Sequence, residues 1–147
     1  MLCLDIIRLM PKKKRNPKNP GQVIIPAGHP NPPEPHEVDA AMALARHYKV
    51  VVEFIIPVDD YRRKSADILM LDLEWEIKCP KGASRATVEN QFRRASKQSG
   101  NIIIDTRRTR LRYKMIEKNV IFELKKHPSV KKVVLIDKSD NIIEIQT

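Results

Sequence analysis

The order of apolar periodicities along the chain predicts an α/β (α+β) fold in which helices flank a mixed central sheet, αβββαβ followed by αββ. Three observations carry this expectation. Apolar residues recur at helical spacing in three segments, Val- and Ile-rich runs of strand length alternate with those segments, and 147 residues suffice for one ordinary core.

Eight of the eleven prolines fall in the first 35 residues, so residues 1–35 read as a basic, proline-rich tail and 36–147 as the folded domain. Within the tail, Val23, Ile24 and Ile25 are a candidate edge strand. Lys12-Lys13-Lys14-Arg15 matches a nuclear-import pattern and equally a solvated basic linker. Residues 37–48 place Val38, Ala41, Met42, Ala45 and Tyr48 on one helical face. Residues 50–56 are β-branched and short, a mostly buried strand, and a charged loop follows at 59–64. Residues 66–70 and 73–78 alternate cleanly about Leu71-Asp72, which is a hairpin. A helix over 84–99 buries Val88, Phe92 and Ala95, with Gly100 placed to cap it. A strand over 101–106, a helix over 112–127 stopped by Pro128, and strands over 131–137 and 141–146 complete the chain.

The formal charge of +10, from 28 Lys and Arg against 18 Asp and Glu, favours a polyanionic partner, nucleic acid first and an anionic membrane surface second. Cys3 and Cys79 share no CxxC spacing, which excludes a disulfide framework and a zinc site of that type. The segment 1–10 is too short and too charged for a secretory signal, so the expected location is cytoplasmic.

Period-two alternation fixes the faces of the hairpin. For Ile68, Met70, Leu73, Trp75 and Ile77 to share one core, Met70 must pair with Leu73, which carries Asp67 opposite Glu76. Asp67, Glu76 and Lys78 then stand together on the other face, with opposed Cβ atoms about 5 Å apart. On a solvated face, truncating any of the three is expected to cost only about 0.5 kcal/mol. Two carboxylates so close repel unless a cation lies between them, and Mg²⁺ is the usual solution where the substrate brings phosphates. The competing reading is an ordinary solvated strand face carrying a surface ion pair. Glu37, at a helix start, is a third candidate metal ligand or simply a favourable charge at a helix N-terminus.

With Asp67 on one strand and Glu76-Ile77-Lys78 on the next, inside an αβββαβ order, the sequence resembles the PD-(D/E)XK nuclease superfamily, with Ala66 where the motif has proline. The stretches Ala66-Asp67-Ile68, Trp75 to Pro80, Glu89-Asn90-Gln91, Ala95 to Gln98 and Asn101 to Asp105 resemble the C-terminal tRNA-nuclease domains of bacterial contact-dependent growth-inhibition toxins. The resemblance implies an endoribonuclease acting on tRNA, an immunity protein as a possible partner, Asp67 and Glu76 as metal ligands, Lys78 as the catalytic cation and Gln98 reaching the hairpin face. Some toxins of this kind instead have the barnase/EndoU/colicin/RelE-like fold, which implies a metal-independent ribonuclease. A catalytically silent nucleic-acid-binding module is the third reading.

Between Ser84 and Lys118 there are ten Lys and Arg against three acidic residues. Arg93, Arg94, Lys97, Arg107, Arg108 and Arg110 are candidate phosphate contacts. For a metal-free mechanism His36, His47 and His127 are candidate bases, and no spacing singles one out.

Overall fold

The computed structural model describes residues 21–57 and 65–145. Cys3, the basic run 12–15 and the charged loop 59–64 lie outside the described residues. Seven strands, β1 (Gln22–Ile24), β2 (Val51–Phe54), β3 (Ile68–Met70), β4 (Leu73–Lys78), β5 (Asn101–Asp105), β6 (Lys132–Ile136) and β7 (Ile142–Ile145), form one sheet in sequence order. Pairing is parallel for β1–β2, β4–β5 and β5–β6 and antiparallel for the rest, so the sheet is mixed. The parallel links are spanned by α1 (Pro35–Tyr48), α2 (Arg85–Ser96) and α3 (Tyr113–Lys126), as parallel neighbours require.

Proline at the first turn of α1 fits a position whose N–H has no helical partner. Lys49 in the left-handed region ends that helix, and its N–H returns to the Ala45 carbonyl. The β3–β4 turn places both Leu71 and Asp72 at positive φ, 55° and 58°, the geometry whose twist matches a two-residue hairpin.

Two apolar clusters lie on opposite faces of the sheet. One joins Ala40, Ala41, Leu44 and Ala45 of α1 to Val52, Phe54, Ile68, Met70, Trp75, Ile77 and Ile103. The other joins Val88, Phe92 and Ala95 of α2 and Ile116, Val120 and Leu124 of α3 to Ile102, Ile104, Val133 and Leu135. Alternation along β5 and β6 sends successive residues to the two clusters, which is why these strands read as unbroken apolar runs. Over β2 and β3 the α2–α3 layer does not continue: Val51 and Leu69 remain 37% and 38% exposed.

Two expectations change. Residues 21–35 belong to the folded body and not to the tail: the edge strand expected at Val23, Ile24 and Ile25 is present as β1, beside β2 at the sheet edge, and the His29 ring N–H (Nε2) donates to the Ile55 carbonyl at 3.2 Å. Helix α2 ends at Ser96 with Lys97 as its cap, not at Gly100. Gly100 instead lies where a side chain would crowd the Ser129 carbonyl, at 3.0 Å from an added Cβ.

Candidate functional site

The hairpin register is the expected one: Met70 pairs with Leu73, Leu69 with Glu74 and Ile68 with Trp75. The ladder stops there, one residue short of Asp67. The Asp67 N–H donates to the Trp75 carbonyl at 3.0 Å, its own carbonyl accepts from Ile55 N–H at 2.9 Å, and its Oδ2 accepts from Ile77 N–H at 2.8 Å. The Asp67 side chain thus takes the place of a main-chain acceptor at the end of the ladder, which fixes its carboxylate beside Glu76.

Glu76 pairs in register with Ile102 and Lys78 with Ile104, so both point to the α2–α3 face. That face is not solvated here. Glu76 is only 2% exposed, because α2 and the turn after it close over β4. The expectation that the three site residues are surface positions, with stability costs near 0.5 kcal/mol, is therefore corrected: the hairpin alternates as read, but at its Glu76 end the second face is covered as well, leaving Glu76 buried and Asp67 and Lys78 half-buried.

Lys78 Nζ donates to Glu76 Oε1 at 2.6 Å. The Gln98 amide end faces the same carboxylate and, with its nitrogen turned inward as the two Glu76 acceptors require, donates to Oε2 at 2.8 Å and also to Oε1. Gln98 reaches it because α2 has already ended, so its position follows from the turn and not from the helical stripe through Gln91 and Arg94. Asp67, Glu76, Lys78 and Gln98 are thereby brought together.

Burial, then the Asp67 charge, pushes Glu76 up to about 7, against the opposing pull of Lys78. Burial likewise raises Asp67 despite the Ile77 N–H and the Lys78 charge. The two carboxyls lie close enough for each to act on the ionisation of the other. Desolvation together with a facing like charge is the combination that marks functional carboxylates.

Glu37 lies near enough for Asp67 to contribute, after burial, to raising its carboxyl. It does not complete a three-ligand site: among the described residues no three His, Cys, Asp or Glu side chains converge to hold a metal. Of the candidate bases, His127 Nε2 sits 3.3 Å from Glu123 Oε2 and His47 packs edge-on against Tyr48. Burial, then the charges of Asp105 and Glu37, pushes the Cys79 thiol up to about 12, which keeps it protonated and inert as a nucleophile.

The basic candidates divide. Arg93, Arg94 and Lys97 are exposed at the end of α2, and Arg110 is exposed beyond β5. Arg108 is half-buried and close enough to act on Cys79. Arg107 is committed elsewhere, a correction to its expected phosphate role. Its Nε and Nη2 donate to the two oxygens of Asp105 at 2.9 and 2.8 Å, and its Nη1 donates to Asp140 at 3.0 Å. Among the described residues no helix is long and apolar enough to cross a membrane.

The family model for the contact-dependent growth inhibition CdiA C-terminal domain matches residues 64–142, more than half of the chain and the span that holds the hairpin, α2, β5, α3 and β6. Among solved structures, a chain of a CdiA-CT/CdiI toxin and immunity complex from Burkholderia pseudomallei is similar in fold. Its TM-score is 0.63, with 19% identity, over 86% of this chain and 100% of that one. No curated protein sequence matches the chain.

Proposed function

The chain belongs to the contact-dependent growth inhibition CdiA C-terminal domain family, and from that premise we propose that it is a toxin-type endoribonuclease, metal-dependent, with tRNA as its substrate class. The observation that carries this reading is the buried Asp67–Glu76 pair flanked by Lys78 and Gln98. The donor set fits a hard divalent cation: two carboxylates are what Mg²⁺ commonly takes from protein when water and substrate phosphates supply the rest, and the like charges facing each other mark where positive charge is needed. A bound Mg²⁺ supplies Lewis-acid polarisation of the scissile phosphate. The chain's residues do the remaining work. Asp67, pinned by Ile77 N–H, and Glu76, pinned by Gln98, stay in place without reorganisation. The Lys78 ammonium stands beside the carboxylates where negative charge develops on the phosphoryl oxygens. Arg93, Arg94, Lys97, Arg108 and Arg110 hold flanking phosphates.

A second reading rests on the burial of Glu76 against the Asp67 carboxylate, which pushes its carboxyl up to about 7. A group poised there is matched to proton transfer at neutral pH and would serve metal-free attack of a ribose 2′-oxygen on its neighbouring phosphate. Incubating the protein with total RNA, with and without EDTA, separates the two. Cleavage lost in EDTA supports the metal-dependent enzyme; cleavage that persists and leaves 2′,3′-cyclic phosphate ends supports the second. RNA bound but uncut under both conditions overturns both. By the same family likeness, and since a solved neighbour is a complex of toxin with immunity protein, an immunity protein is the proposed protein partner, and the cytoplasm of a target cell the proposed place of action.

A further inference from the structure

A cleft of about 260 Å³ adjoins the carboxylate pair and shares Asp67 with it. Its walls are unlike the rest of the site. Pro32, Pro33 and Pro57 bring rigid apolar rings to its lining together with Phe54 and Ile55, and Asn31, Glu34 and Glu37 supply polar groups. The volume lies below the ~300–1,000 Å³ of pockets for drug-sized ligands, so it suits one planar ring system. Two features hold the cleft open before any ligand arrives. Prolines cannot collapse into a helix or ladder, and the His29–Ile55 hydrogen bond ties the proline-rich segment to the end of β2.

We propose that this cleft is a nucleobase subsite for guanine, with the half-buried Glu37 reading the base edge. Among the four RNA bases, guanine alone offers two neighbouring N–H donors, N1–H and the 2-amino group, on its Watson–Crick edge, a bidentate match for one carboxylate. A guanine seated between the prolines and Ile55 places the phosphate of its own nucleotide at Asp67, where cleft and carboxylate pair meet. Glu37, first considered as a metal ligand, is thereby a specificity residue. This inference rests on the nuclease reading for its biological meaning and on the cleft alone for its binding claim.

The test titrates the 147-residue chain with GMP, IMP, AMP, CMP and UMP and follows backbone amide shifts. GMP is expected to bind about tenfold more tightly than the other four, as one good bidentate base contact provides, with shifts confined to residues 29–37, 54–57 and 65–67. IMP, which lacks the 2-amino group, probes the contact without altering the protein. Glu37→Gln is expected to erase the preference for GMP over IMP. Equal affinities for GMP and IMP, or shifts centred elsewhere, overturn the proposal, as does an unchanged preference in folded Glu37→Gln. Mapping cut ends on a random RNA distinguishes the two layers of the claim. Selective GMP binding without any cleavage sinks the nuclease reading and leaves the subsite standing. Cleavage with no guanine preference at a nucleotide flanking the cut, together with equal nucleotide affinities, sinks the subsite and leaves the nuclease.

Discussion

Glu76 on β4 and Asp105 on β5 are carboxylates on neighbouring parallel strands, each 2% exposed, yet their surroundings are opposite in kind. Asp105 receives a planar, two-bond clamp from Arg107, and Asp140 steadies that guanidinium from behind. Glu76 faces another carboxylate and has a single lysine at its side. Equal burial therefore does not mean equal purpose. A buried carboxylate matched in charge and geometry is part of the scaffold, whereas one left partly mismatched holds electrostatic energy that a cation or a proton can release.

The largest expected effect sharpens this contrast on the functional side. Glu76→Gln and Lys78→Met should each lower RNA cleavage on the order of 10³-fold, the scale of removing one preorganised electrostatic group; the melting temperature holds or rises in Glu76→Gln, where a like-charge contact is relieved, and falls in Lys78→Met, which leaves buried Glu76 without its cation. Asp105→Asn serves as the reference: near-normal cleavage in whatever fraction stays folded. Cleavage within tenfold of wild type in Glu76→Gln would break the comparison.

On the scaffold side, Arg107→Ala leaves Asp105 buried without its partner. Breaking such a pair costs about 3 kcal/mol or somewhat more, visible as a lower denaturant midpoint, with the salt dependence of RNA binding unchanged. An altered salt slope with unaltered stability would return Arg107 to the phosphate-binding set.

The pH dependence of the metal-free protein is the next effect in size. Because the folded protein holds Glu76 at about 7 against an ordinary 4.5, and raises Asp67 as well, it binds more protons than the unfolded chain between those values. Stability from this pair is fully present below about pH 4 and falls as pH rises through 7, by on the order of 2 kcal/mol. Chemical denaturation at pH 5 and pH 8 measures the difference, and Glu76→Gln should remove most of it. A wild-type protein that gains stability across that window would contradict the mismatch.

The smallest effect concerns the exposed cations. Replacing Arg93, Arg94 and Lys97 by Ala should reduce the slope of log affinity against log salt by about 2 to 3, as expected for three lost phosphate contacts.

How much of this was legible in the sequence varies with the range of the interaction responsible. The hairpin was readable because a two-residue turn and period-two alternation are local, and together they force Met70 onto Leu73. The apolar runs of β5 and β6 announced strands covered on both faces. That Glu76 is buried was not legible, since what covers it is α2 and the turn carrying Gln98, brought over β4 by the crossover to β5. Arg107 looked like one more member of a basic run; only the fold shows Asp105, two residues away, turned inward and needing a partner, with Asp140 brought in from the β6–β7 turn. The nucleobase cleft was hidden in the segment that its prolines marked as tail. Prolines do exclude regular helix and sheet interior, but they also make rigid walls.

The most direct test of the central claim, that the Asp67–Glu76 mismatch exists to take a cation, is calorimetric titration of Mg²⁺ into the protein at pH 7 in two buffers of different ionisation heat. One binding event accompanied by proton release is expected, since a Glu76 carboxyl pushed up to about 7 gives up its proton as the ion enters, with loss of both in Glu76→Gln. Binding with no proton released, or identical titrations for wild type and Glu76→Gln, would contradict that claim.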